Sequence, residues 1–426
     1  MLEVAAVSLS QRFLKRDSSA NVNRPICDKH VLLKPVVNNQ RVGQVISHCK
    51  EPGGFLKRSG MAELPLHGGR APPWLVSRMK GLSKEVASMI LTEYGPDEFF
   101  RRLADPFWFQ AFGCILGYDW HSSGVTTVVT GVLKSVLDIQ EHGVAVAGGK
   151  GRASRFAPNE IDIIGKSLRF SEEEIRSLQY SSRMSAKVDN TAIQAGYPLY
   201  HHAFLVSNAG KWLVIQQGMN ASERAARRYH WLSEDLKSYV VEPHAAIVGE
   251  RNHVGVLDMT AKASEGAQHV SVDLVNDGVE HLGRLVTSAP SCQTLLTAWT
   301  GNVSGNMSCL RMPWRIDWKA LRRAYEIHPK NYEELLTVRG IGPATIRGLA
   351  LVSEVIFGER PSWKDPVKYS FAYGGKDGVP FPVNRKAMDR SIGFLQEAVE
   401  NARLGDTERL EALKRLRRFV PADIES

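Results

Sequence analysis

Apolar positions change period along the chain, and the changes predict a succession of elements. Trp74–Met89 and Pro96–Leu103 predict helices, the second with Asp97 and Glu98 early and Arg101 and Arg102 late, as a helix dipole prefers. Val125–Leu137 is an apolar run expected to be buried, and Gly143–Ala147 predicts a short strand entering a glycine loop. Ser171-Glu-Glu-Glu marks a helix start. Tyr200–Ser207 and Trp212–Gln217 are β-rich runs around Asn208-Ala-Gly210, a hairpin signal. With that turn, Val206 faces Trp212, Phe204 faces Val214, His202 faces Gln216 and His201 faces Gln217. Ser222–Trp231 predicts a helix that would carry Arg224, Arg227 and Arg228 on adjoining faces. Helices are also predicted over Ile316–Ile327, Tyr332–Thr337, Ala344–Phe357, Asn384–Arg403 and Thr407–Arg418, with a Gly/Pro-rich crossing at 358–382.

These elements predict an α+β protein: a mixed α/β domain at 60–265 with the chemistry, then an all-helical domain at 275–426. Residues 1–59 show no sustained period and are expected to form a poorly ordered extension, with Met61 a candidate start. A chain of 426 residues, 43% apolar and 23% charged, is long enough for two or three buried cores. Its formal charge of +9 favours a polyanionic partner through counterion release. No apolar run is long enough to span a bilayer and Met1–Ser10 lacks a secretory signal, so a cytoplasmic, nucleoid-associated protein without a membrane partner is expected. The 5 cysteines are scattered and suggest no disulfide framework; Cys27, His30, His48 and Cys49 are irregularly spaced for zinc.

The strongest local signal is Leu335-Leu-Thr-Val-Arg339-Gly340-Ile-Gly342-Pro-Ala344-Thr345-Ile-Arg347, within 331–357. Gly340 and Gly342 allow a tight turn and close backbone approach. The amides that follow open a helix whose positive end suits a phosphate oxygen, with Arg339 and Arg347 adding charge. Such a contact reads backbone rather than sequence. An ordinary glycine turn between helices is the competing reading.

Polar motifs crowd the preceding segment. Asp119-Trp-His121-Ser-Ser places an acid and a histidine on one face of an extended strand. Lys150 and Arg152 sit in a glycine loop that lacks the spacing of a nucleotide-binding loop. Arg183 and Lys187 are one helical turn apart, a like-charge pair that a phosphate would relieve and that Asp189 would neutralise. The hairpin gathers His201, His202, Gln216 and Gln217 at the end away from its turn. The expected catalytic set is therefore His201 or His202 as acid/base, Lys187 and Arg228 as phosphate stabilisers, and Gln216 and Gln217 as orienting groups. No cofactor is specified; a divalent metal ion held by Asp119, His121 and Asp189 is the candidate.

The glycine hairpin resembles the helix–hairpin–helix superfamily of DNA-repair proteins, glycosylases among them. Against that pattern, Ala344 stands where the lyase lysine would be and Asn384 where the catalytic aspartate would be, with Asp389 a turn away. The hairpin therefore looks like a DNA grip without chemistry of its own. Leu64-Pro-Leu-His-Gly-Gly, Asp119-Trp-His-Ser-Ser-Gly, Ser185-Ala-Lys-Val-Asp-Asn, Tyr200-His-His, Gln216-Gln-Gly-Met-Asn and Arg227-Arg-Tyr-His-Trp together resemble a mainly archaeal prokaryotic family of unknown function, from about Gly60 to the C-terminus. The expectation is a DNA repair or processing protein, foremost a nuclease. A glycosylase for damaged bases and a non-catalytic DNA-structure scaffold are the alternatives.

Overall fold

The computed structural model describes residues 73–117, 123–249, 252–288, 312–313, 315–367, 385–402 and 405–417. They are built from α1 (Pro73–Ala104), α2 (Pro106–Ile115), α3 (Gly124–Val136), α4 (Ile139–His142), β1 (Val144–Lys150), α5 (Ala157–Ser167), α6 (Glu172–Thr191), β2 (Ile193–Gln194), β3 (Leu199–Ser207), β4 (Trp212–Asn220), β5 (Ala225–Leu232), β6 (Ala246–Gly249) and β7 (Val254–Asp258). After these come α7 (Glu265–Asn276), α8 (Val279–Ser288), α9 (Trp318–Ile327), α10 (Tyr332–Thr337), α11 (Pro343–Phe357), β8 (Ser362–Lys364), α12 (Arg385–Asn401) and α13 (Asp406–Arg417). Helices with antiparallel sheets make this an α+β protein. The expected extension at 1–59 and its cysteines lie outside the described residues.

A five-stranded antiparallel sheet in the order β1-β3-β4-β5-β6 carries the polar strand positions. The β3–β4 register pairs Val206 with Trp212, Phe204 with Val214, His202 with Gln216 and His201 with Gln217, as the alternation predicts. A second sheet, β2-β7-β8, has three short strands. Phe204, Val214 and Trp231 on one face of the large sheet join a core with Val188 of α6, Leu274 of α7, and Leu335 and Ile346 of α10 and α11. Helices α1, α2 and α3 supply polar partners to the opposite face, so each strand is buried on both sides.

Local signals account for much of this. Ser171 caps α6 by accepting from the Glu174 amide at 3.2 Å, and the Glu174 carboxylate accepts from the Ser171 amide at 2.7 Å. Gly95, at φ 79°, breaks α1 between its two predicted halves. One prediction fails: Ser222–Trp231 is not a helix. Asn220 accepts from the Ser222 and Glu223 amides in a turn that ends at Arg224, and Ala225–Leu232 returns as β5 along β4. Pairing on both edges and burial of alternating aromatic residues override the helical propensity of Ala225-Ala-Arg-Arg. Arg227 and Arg228 consequently point to opposite faces of the sheet.

The glycine loop also begins as strand. Gly148 pairs with Ala203 inside β1, and a Cβ there would lie 2.2 Å from the His202 carbonyl oxygen, at φ +85°. Gly148→Ala is expected to cost roughly 1–3 kcal/mol through backbone strain, read as a lower urea midpoint. An unchanged midpoint would show that β1 and β3 separate at no cost.

Candidate active site

The two faces of the large sheet carry two separate polar networks. On the face toward α1–α3, Gln217 donates to the Ser123 carbonyl at 3.0 Å and accepts from the Thr126 hydroxyl. His201 Nε2 meets the Thr130 hydroxyl at 2.9 Å, while its Nδ1 is buried without a partner. Arg228, fully buried, donates twice to Gln110 Oε1 at 3.1 Å and stacks over Phe109 at 4.6 Å. Its Nε donates to His230 Nε2 at 2.9 Å, which makes that ring nitrogen an unprotonated acceptor. Burial, with His202 and Lys150 nearby, drives the His201 imidazole down to about 3; burial and the Arg228 charge hold His230 well below its ordinary value. With no carboxylate beside it among the described residues, Arg228 falls to about 9 through burial. This face is a buried, hydrogen-bonded packing layer around one arginine, closed to an external phosphate.

Asp189 organises the other face. Its Oδ2 accepts from Trp231 Nε1 at 2.9 Å and from the Gln216 amide, and its Oδ1 meets His244 Nε2 at 2.5 Å. Gln216 Oε1 in turn accepts from His202 Nδ1 at 2.7 Å, and His202 Nε2 meets the Ser182 hydroxyl at 2.9 Å. Burial lowers the His202 pKa, against the raising effects of Gln216 and Asp189. His202 is thus a fully occupied relay. His244 differs. Its Nε2 is engaged by Asp189, and its Nδ1 makes no hydrogen bond to the described residues. His244 also lines a pocket of about 190 Å³ with Glu242, Asp258, Thr260, Lys364 and Asp365.

Helix α6 also reaches the glycine turn. Asp189 lies two residues from Lys187 on α6, and the Lys187 ammonium donates to the Ile341 carbonyl in the turn between α10 and α11. Gln194 adds a bond to the Pro343 carbonyl at 2.8 Å. The charge of Asp258 and, more strongly, burial raise the pKa of Tyr332 on α10. Gly340 has φ +96°, and a Cβ on it would come within 2.8 Å of Ala320 in α9. Gly342 is different: the nearest atom to its virtual Cβ is 3.8 Å away, and no side chain caps α11. The first turn of α11 is therefore approachable over Gly342.

The expected site residues separate into several locations. Asp119 and His121 lie outside the described residues, as does Asn384, so the proposed metal set is left with Asp189, whose oxygens are already engaged. Among the described residues no group of three His, Cys, Asp or Glu side chains is arranged to hold a metal. Lys150, Arg152, Arg183, Arg224 and Arg339 are exposed. Arg227 is fully buried on the Asp365 carboxylate at 2.7 Å and over Tyr197 at 4.6 Å. Thr345 is buried and accepts from the Asp317 amide at 3.3 Å, and Arg347 lies over the Trp363 ring at 5.0 Å, so these side chains face the protein. Ala344 is half-buried in the first turn of α11. His201 and His202, expected together, are on opposite faces because consecutive strand residues alternate. His244 carried no local signal; it lies in an irregular segment between β5 and β6.

No helix among the described residues is long and apolar enough to cross a membrane. No curated protein and no solved structure matches the chain. A family model described as a protein of unknown function, DUF763, matches residues 60–383, and the chain belongs to that family.

Proposed function

We propose that this protein binds DNA through a helix–hairpin–helix formed by α10, the glycine turn and α11, and cleaves a phosphodiester bond at the Asp189–His244 pair. The observation that carries the reading is the α6 bridge. Lys187 holds the turn carbonyl while Asp189, two residues on, orients His244 at the pocket. The open first turn of α11 offers amides and a helix dipole to a phosphate. His244, held by a carboxylate and facing the pocket, has the arrangement of a general acid or base. Arg339 contributes exposed charge beside the turn.

Two variants separate grip from chemistry. Gly342→Val adds bulk only toward open space, so it is expected to cost no more than about 1 kcal/mol, as valine is a poorer helix N-cap than glycine, and to weaken DNA affinity about tenfold or more. His244→Gln is expected to reduce single-turnover cleavage of nicked, flap or abasic DNA at least ~100-fold, with affinity within about twofold. Undiminished cleavage by His244→Gln would remove the dyad from the chemistry. The carboxylates lining the pocket favour a glycosylase as the second reading, in which a flipped base enters there. Release of free base, leaving an abasic strand, would distinguish it.

A further inference from the structure

Helix α9 packs under the glycine turn, and its outer surface combines aromatic rings with Lys319, Arg322 and Arg323 against one carboxylate on the helix, Glu326. Arg323 Nη2 donates to the Arg339 carbonyl at 2.7 Å, joining the helix to the turn. Trp318, Arg322 and Tyr325 follow at i, i+4 and i+7 and form one stripe. Trp318 is 38% and Tyr325 39% exposed, large values for rings two turns apart on one helix; Tyr325 also meets the His328 ring at 5.2 Å. Each leans on a glycine: virtual Cβ atoms of Gly283 and Gly278 lie 4.0 and 3.7 Å from the two rings. The rings are therefore propped from below and accessible from above. Lys319 and Arg322, both exposed, form no ion pair among the described residues. Asp317 is occupied in capping α9 through the Ala320 amide at 2.9 Å.

Resting on the DNA reading above, we infer that α9 is a platform for an unpaired nucleic-acid strand continuing from the duplex held at the glycine turn. Bases stack on Trp318 and Tyr325 while Lys319, Arg322 and Arg323 follow the backbone. Along its length a duplex keeps its base faces stacked away from such rings, whereas a single strand exposes them. A helix is ~10 Å across, a width that about three stacked nucleotides span at ~3.4 Å each. The strand can therefore pass from the turn to the stripe without a long linker. An apolar protein partner would leave the cations unpaired; a polyanion neutralises them.

The test compares the full chain on a blunt duplex and on the same duplex with a single-stranded extension, at fixed salt. The extended duplex is expected to bind more tightly. Trp318→Leu and Tyr325→Leu should each lose ~5-fold or more on the extended duplex and less than about twofold on the blunt one. Trp318→Phe, which keeps a ring on α8, should retain most of the preference. Arg322→Gln should lower the salt slope on the extended duplex by about one. Equal effects of Trp318→Leu on both substrates, or no effect on either, overturn the platform while leaving duplex binding intact. Failure of the unaltered chain to bind either DNA overturns both readings.

Discussion

Asp189→Ala is expected to lower the unfolding free energy by about 3–5 kcal/mol, the typical result of leaving buried polar groups without their ionic partner. The carboxylate is almost wholly buried and accepts from Trp231, Gln216 and His244, which come from β5, β4 and the segment before β6. Removing it strands the indole N–H, one Gln216 amide N–H and the His244 ring nitrogen at once, in a site that is about 1% exposed. Asp189→Asn keeps the shape but turns one oxygen into a donor facing other donors. A smaller loss of about 1–3 kcal/mol is expected there. Against a total stability of order 5–15 kcal/mol, the alanine variant should shift the urea midpoint severely. A loss under about 0.5 kcal/mol in both variants would mean that the network contributes little. On the cleavage proposed above, both variants should also lower that activity because His244 loses its orienting partner, and only His244→Gln separates the loss from stability.

The second large effect is acid destabilisation well above the carboxylate range. His201 falls to about 3 and His230 lies well below its ordinary value, both chiefly through burial. Their folded values are below the unfolded value of about 6.5, so the unfolded chain binds more protons as pH drops. The stability these neutral rings carry is present above about pH 6.5 and is lost as pH falls toward the folded values. At pH 5.5, two such histidines cost about 3 kcal/mol relative to pH 7.5. His202, also depressed by burial, adds to this. Urea midpoints at the two pH values test it. A flat profile would place these rings in contact with water.

Much of the frame could be read from local pattern. The β3–β4 register followed from alternation and the Asn208-Ala-Gly210 turn because both depend on near neighbours. The α6 cap and the boundaries of α10 and α11 followed from side chains a few residues apart. The Arg227–Arg228 helix failed because β4 and β6 decide that segment from outside it.

The candidate centre illustrates the division. The sequence by itself determined that His201, His202, Gln216 and Gln217 converge at one hairpin end, and that Gly340 and Gly342 form a turn before a helix. Only the tertiary structure decided which of those groups have spare chemical capacity. It seated His201 against Thr130, enclosed His202 between Ser182 and Gln216, and brought His244 to Asp189 across 55 residues. Periodicity is a short-range property of the backbone, so it assigns a side chain to a face. Partner, burial and proton affinity depend on what packs on that face, and here those neighbours come from distant segments.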